Sequence, residues 1–124
     1  MTERIVIVTG SRIWPSHTIV WQVLDAHAPT LVVHGAAIGV DGMAESWAKG
    51  REVDYHGMPA RWTGQTRDRS RLDRGAGHAR NRRMLLLYPG ALVLAFPWGK
   101  ASGTRGCIRM ARELGHPVTV TVPV

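Results

Sequence analysis

Cysteine occurs once, at Cys107, so no internal disulfide framework can staple this chain, and a reducing compartment is the natural setting. Long apolar runs are missing as well. No stretch approaches the roughly 20 residues that a membrane-spanning helix needs, and the run Ile5-Val6-Ile7-Val8 behind Met1-Thr2-Glu3-Arg4 is too short for a signal-peptide core and lacks a small-residue cleavage site. The expectation is a cytoplasmic protein with no membrane partner. Neither G-x-G-x-x-G nor G-x-x-x-x-G-K-[ST] occurs, which removes the usual dinucleotide and phosphate-loop signatures. The six histidines show no metal-ligand spacing, so no metal and no resident cofactor are expected. Acidic residues are scarce, 9 against 16 basic ones, for a formal charge of +7. Apart from Lys49 and Lys100, every cation is arginine, which suits planar, two-pronged contacts with phosphate. A genome that encodes arginine wherever a cation is tolerated would leave the same composition. No internal repeat or low-complexity tract is present.

What is there is the material of one domain: 124 residues, 44% hydrophobic and 20% charged, enough for a single core. The most informative stretch covers residues 91–114. A short apolar run, Ala91 to Phe96, is bounded by Pro89-Gly90 and Pro97, as expected of a strand covered on both faces. Gly99, Ser102, Gly103 and Thr104 then form a loop of little bulk, leading to a helix whose Cys107, Met110, Ala111 and Leu114 share one face and which Gly115 and Pro117 end. Backbone N–H groups at such a helix start can approach an anion closely.

Upstream the same grammar repeats. Residues 5–8 are β-branched, predict a central strand, and run into Gly10-Ser11-Arg12. Ser16 is placed to cap a helix carrying Ile19, Val20, Val23 and Leu24. The strand 31–34 leads through the small residues 35–41 into a helix with Met43, Ala44, Trp47 and Ala48 as its apolar set and Asp41 as its expected cap. Residues 53–56 form a weaker strand, and 78–88 a helix basic at its start and apolar at its end. Residues 118–122 alternate valine with threonine, as an edge strand does. Strands alternating with helices predict an α/β fold, a Rossmann-like three-layer sandwich whose mainly parallel sheet of about five strands is flanked by helices. The three glycine-bearing loops then gather at the carboxyl edge of the sheet, where such folds bind ligands.

Residues 57–77 interrupt the pattern with a long basic loop, and eight arginines fall between Arg61 and Arg83. They read either as an electropositive flap for a polyphosphate or nucleic-acid backbone, or as a solvated surface partly neutralised by Asp68 and Asp73. Trp62 is the sole aromatic inside this stretch, a poor supply of stacking platforms for single-stranded nucleic acid. Asp41 can cap its helix, bind a ribose hydroxyl, or both. Glu45 is either a surface glutamate or a spare carboxylate for the crevice. Cys107 stands near a helix start that would activate a thiol, but also on the apolar face, where cysteine packs as a small hydrophobe.

Val8-Thr9-Gly10-Ser11-Arg12, Val33-His34-Gly35-Ala36-Ala37 with Gly39-Val40-Asp41, Ala44-Glu45, Trp47-Ala48, Pro59-Ala60 with Trp62, Arg80-Asn81 with Met84, and Ala95-Phe96-Pro97 with Gly103-Thr104 together resemble the YspA-like branch of the SLOG superfamily, in order and over nearly the whole chain. The resemblance implies a Rossmann-like fold that binds a nucleotide or nucleotide-derived ligand, as a sensor, a sponge or an N-glycosidic-bond hydrolase. It also implies a homo-oligomer, for which Trp14, Trp21 and Trp98 are candidate interface anchors if exposed. The superfamily includes the Lonely Guy phosphoribohydrolases, whose signature arginine is matched by Arg80 and whose G-T pair is matched by Gly103-Thr104. Their catalytic glutamate is replaced here by Cys107, and a thiol neither stabilises a cationic sugar nor activates water well. Any hydrolysis therefore falls to Arg80, with Glu45 or Asp41 as the carboxylate. The implied cradle comprises Gly10, Ser11, Arg12, His34, Gly35, Ala36, Gly39, Asp41, Asn81, Pro97, Gly99, Ser102, Gly103 and Thr104. The superfamily also includes the DprA proteins, which implies single-stranded nucleic acid as the alternative partner.

Overall fold

A computed structural model describes residues 3–60 and 75–123. Its elements alternate: β1 (Ile5–Gly10), α1 (His17–His27), β2 (Leu31–His34), α2 (Val40–Gly50), β3 (Asp54–Gly57), α3 (Ala76–Leu87), β4 (Leu92–Phe96), α4 (Ser102–Glu113) and β5 (Val118–Val120). The five strands form one sheet in the order β3-β2-β1-β4-β5, and each neighbouring pair is parallel. The fold is the Rossmann-like α/β sandwich expected from the alternation of strand and helix. The run of β-branched residues in β1 explains its central place, since a strand with no polar face is stable only when both faces are covered.

That covering divides the core in two. Val6, Val8, Val32, Leu94 and Phe96 pack against Val20 and Leu24 of α1 and Ala44, Trp47 and Ala48 of α2. Ile7, Val33 and Val93, the intervening residues, pack against Met84 and Leu85 of α3 and Cys107, Met110 and Ala111 of α4. Successive side chains of a strand point to opposite faces, so the position of a residue in β1, β2 or β4 decides which helical layer it meets. Full burial of each large apolar side chain contributes about 1.5–3 kcal/mol.

Local chemistry sets most of the boundaries. Ser16 caps α1, its Oγ accepting from Ile19 N–H at 3.2 Å. Gly115, at φ 86°, takes the left-handed conformation just beyond α4, where a side chain would be strained. His116 is buried and makes contacts of 2.8 Å to the Ala91 carbonyl and 2.9 Å to the Leu85 carbonyl, tying the α4–β5 connection to β4 and α3.

Four expectations need correction. Ser102, Gly103 and Thr104 are not loop but the first turn of α4, which begins at the left-handed Ala101. Asp41 does not cap α2; the cap position is Gly39, at φ 84°, and Asp41 lies inside the helix with its side chain turned back onto the preceding loop. The basic helix starts at Ala76 rather than His78; within the expected loop 57–77, Gly57 belongs to β3 and Ala76 and Gly77 to α3, while the arginines from Arg61 to Arg74 lie outside the described residues. Trp14 is no interface anchor: it is buried in the core edge-on to Phe96, ring centroids 5.3 Å apart, because its ring completes the α1–α2 layer. Trp21 is half-buried, its indole N–H donating to the Met43 carbonyl at 3.1 Å, and Trp98 is exposed.

Candidate functional site

The chain leaves β1 toward β2 and β3 on one side of the sheet, while β4 leads to β5 on the other. The loops after β1 and β4 therefore diverge, and a crevice opens between them at the carboxyl edge, the switch point at which open α/β sheets bind ligands. It has a volume of about 730 Å³, within the usual range of small-molecule sites. Thr9 to Ile13 form one wall, and Trp98 with Lys100 to Thr104 the other. Ala37 and Asp41 close it from the α2 side, and His78, Arg80 and Asn81 from α3.

The loops are braced against one another. Ser11 N–H donates to the Phe96 carbonyl at 3.0 Å, and Ser11 Oγ accepts from Ile13 N–H at 3.1 Å. Val40 N–H donates to the Ser11 carbonyl at 3.3 Å. A Cβ on Gly10 would collide with the Val40 side chain, 2.5 Å away, and one on Gly39 would lie 2.6 Å from Arg12 Cα. These glycines allow two loops to meet; their open sides are filled by protein.

Asp41 is the carboxylate of the cavity wall among the described residues. Its Oδ2 accepts from Gly35 N–H at 3.0 Å and Ala37 N–H at 3.2 Å, holding a loop in which Ala36 is left-handed at φ 54°. Its Oδ1 is buried and has no hydrogen-bond partner among the described residues. Burial pushes its carboxyl above the ordinary value, outweighing the Ala37 and Gly35 amides and the nearby His34 and Arg80. An orphaned buried acceptor costs on the order of 1–3 kcal/mol, which a donor from a bound molecule would offset.

Arg80 is also buried. Its Nη1 donates to the Gly35 carbonyl and, at 3.2 Å, to the Met58 carbonyl, while Nε donates to Asn81 Oδ1 at 2.7 Å. The guanidinium thus spans the ends of β2 and β3, and a Cβ on Gly35 would strike it. None of these bonds uses Nη2. Burial lowers its pKa, against the pull of Asp41, yet a guanidinium stays charged at neutral pH. Opposite stands the start of α4. No side chain among the described residues caps it, no acid occupies its first turn, and its cap residue Ala101 is held at φ 43°, ψ 44°. For a non-glycine residue that conformation stores on the order of 1 kcal/mol, and such strain gathers at ligand clamps. Gly103 faces open space within the cavity. Uncapped N–H groups at the positive end of a twelve-residue helix favour an anion.

Of the cradle inferred from sequence, the cavity wall contains Gly10, Ser11, Arg12, Asp41, Arg80, Asn81, Ser102, Gly103 and Thr104. Gly35, Ala36, Gly39, Pro97 and Gly99 are not part of that wall. His34 and Glu45 are not in the cavity wall. Val33 faces α3 and α4, so the next residue, His34, faces α2, where Nδ1 accepts from Ala36 N–H at 2.9 Å and Nε2 donates to Glu45 Oε1 at 3.0 Å. Glu45 also pairs with Lys49 at 3.2 Å; burial alone would raise its carboxyl, but Lys49 and His34 hold it below the ordinary range. Cys107 is fully buried, and that burial pushes its thiol up to about 11, so it packs rather than reacts. Sequence reasoning missed Ile13, His78 and Trp98 in the wall. For Ile13 and Trp98 a signal was present, as large apolar residues beside small-residue loops.

The fold is that of an open, parallel α/β domain with a crevice at the carboxyl edge of its sheet. A family model described as the YspA, cpYpsA-related SLOG family matches residues 4–64. Gene 61 protein of Mycobacterium phage D29 is 38% identical over 128 residues, covering 93% of this chain and 94% of the phage protein. The chain belongs to the YspA, cpYpsA-related SLOG family, whose membership is consistent with a nucleotide-related ligand. Among solved structures, the C-terminal domain of a hydrogenase from Pyrococcus furiosus superposes with a TM-score of 0.53 at 11% identity, covering 96% of this chain and 91% of that one; it shares the fold. No helix among the described residues is long and apolar enough to cross a membrane.

Proposed function

We propose that the protein binds a nucleotide or nucleotide-derived ligand in the crevice between β1 and β4. Its phosphate sits on the N–H groups of Ser102, Gly103 and Thr104, with Arg80 and Asn81 alongside, and a ribose hydroxyl donates to Asp41. The observation that carries this reading is Asp41 Oδ1, a buried acceptor without a partner among the described residues, on a residue that lines the same cavity as a helix N-terminus that none of their side chains caps. An anion seat beside an acceptor awaiting a hydroxyl is the polarity of a sugar phosphate, and doubly wound folds commonly set an acidic side chain against a ribose hydroxyl. Retention of the ligand as a sensor or sponge fits better than hydrolysis. Glu45 faces away, and Asp41 is held in place by two backbone amides.

The test is thermal stabilisation by nucleoside phosphates, matched nucleosides and inorganic phosphate at low and moderate salt. A ligand at a hundred times its Kd should stabilise the fold by about 2.7 kcal/mol. Wild type should respond to nucleoside phosphates, Asp41→Asn should lose most of the response, and Glu45→Gln should keep all of it. A melt that no nucleoside phosphate moves defeats the proposal.

A further inference from the structure

Two large apolar side chains stand exposed on opposite lips of the crevice: Ile13, 68% exposed, on the loop after β1, and Trp98, 44% exposed, on the loop after β4. The loops approach each other here, since a methyl on Gly99, the residue after Trp98, would lie 3.5 Å from Ile13 Cδ1. Both positions are set by the backbone. Ile13 is held by its N–H bond to Ser11 Oγ, and Trp98 precedes the left-handed Gly99 at φ 69°. The large apolar residues next to them, Trp14 in the first loop and Phe96 at the end of β4, are buried, so the chain had partners for apolar side chains and left these two at the mouth.

We infer that Trp98 and Ile13 form a stacking seat for the base of a bound nucleotide, and that the protein selects a flat ring there by stacking rather than by reading its hydrogen-bonding edge. The inference rests on the nucleotide reading of the crevice and assigns the ligand's third part: anion at α4, hydroxyl at Asp41, aromatic ring at the lip. Stacking on an indole is tolerant of base identity, because every base has a π-face, and it favours purines through their larger area. Of the two side chains only the indole N–H offers a polar atom. AMP and GMP should therefore bind alike, and CMP more weakly.

The experiment compares AMP and ribose 5-phosphate on the full chain as wild type, Trp98→Ala and Trp98→Phe, by titration calorimetry and tryptophan fluorescence. Trp98→Ala should weaken AMP about tenfold, within the range seen on removing one stacking platform, and leave ribose 5-phosphate unchanged; Trp98→Phe should retain most AMP affinity. AMP should also quench wild-type emission, and Trp98→Phe should lose that quench. If AMP binds wild type and Trp98→Ala equally, the lip is not the base seat, while the crevice reading stands. If neither AMP nor ribose 5-phosphate binds wild type, both fall together.

Discussion

Replacing Gly103 by aspartate should move stability and binding in opposite directions. Gly103 is the second residue of α4, a Cβ there meets no atom within 4 Å, and the first turn carries no acid. Two gains follow in the unliganded protein. Aspartate is a better helix residue than glycine by roughly 0.3 kcal/mol, and a carboxylate in the first turn gains about 0.3–1 kcal/mol from the helix dipole. Together they give roughly 0.6–1.3 kcal/mol, which for a domain of this size raises Tm by roughly 2–6 °C. The same carboxylate occupies the anion seat and repels a phosphate. A tenfold loss of affinity corresponds to about 1.4 kcal/mol, so at a ligand concentration a hundred times the wild-type Kd the stabilisation should fall from about 2.7 to about 1.4 kcal/mol. Calorimetric melts with and without AMP supply all four values. A variant that gains stability yet keeps the full AMP response would show that phosphate does not sit on α4. One that loses stability would show that Gly103 is packed rather than open.

The buried carboxylate gives a pH signature. Because burial raises the folded-state pKa of Asp41 above the ordinary 3.8, its contribution to stability is greatest below that value and is lost as pH rises from 3.8 through the raised one; urea midpoints across this window should fall less steeply for Asp41→Asn. Gly35→Ala forces a methyl against the Arg80 guanidinium and should destabilise the fold by about 1–3 kcal/mol, as overpacking does, measurable by denaturant titration. Ser16→Ala removes the cap of α1 and should lower stability by about 1 kcal/mol; a change near zero would mean that water replaces the cap. Cys107, buried with its thiol near 11, should resist a disulfide reagent at pH 8 until the protein is unfolded, and rapid labelling of the native chain would contradict its packing role.

Legibility in the sequence followed the range of the forces involved. The start of β1 and the boundaries of α1 and β4 rest on β-branched runs, a serine cap and flanking prolines, all within a few residues, and they read directly; the end of β1 did not, since Thr9 and Gly10 belong to the strand and not to the turn after it. Loop against helix turn was harder at residues 102–104, because small residues suit both and only the left-handed Ala101 sets where α4 begins. The glycines were over-read. Gly10, Gly35 and Gly39 are small because Val40, Arg80 and the Ser11–Arg12 backbone lie against them, and all of those partners are brought there by the fold.

The order of elements, the α/β class, the central place of β1 and the edge place of β5 were determined by the sequence itself, since hydrophobic period and turn chemistry act locally. Which polar residues share the crevice was decided only in three dimensions. His34 and Asp41 stand seven positions apart, on either side of one loop, yet strand parity turns the first toward Glu45 on α2, while the second, bound to the amides of that loop, lies in the cavity wall. Asp41 Oδ1 and the amides of α4 lie some sixty residues apart in the chain and become one site because the sheet places β4 beside β1. No local propensity encodes that pairing; it follows from burying both faces of a single sheet at once.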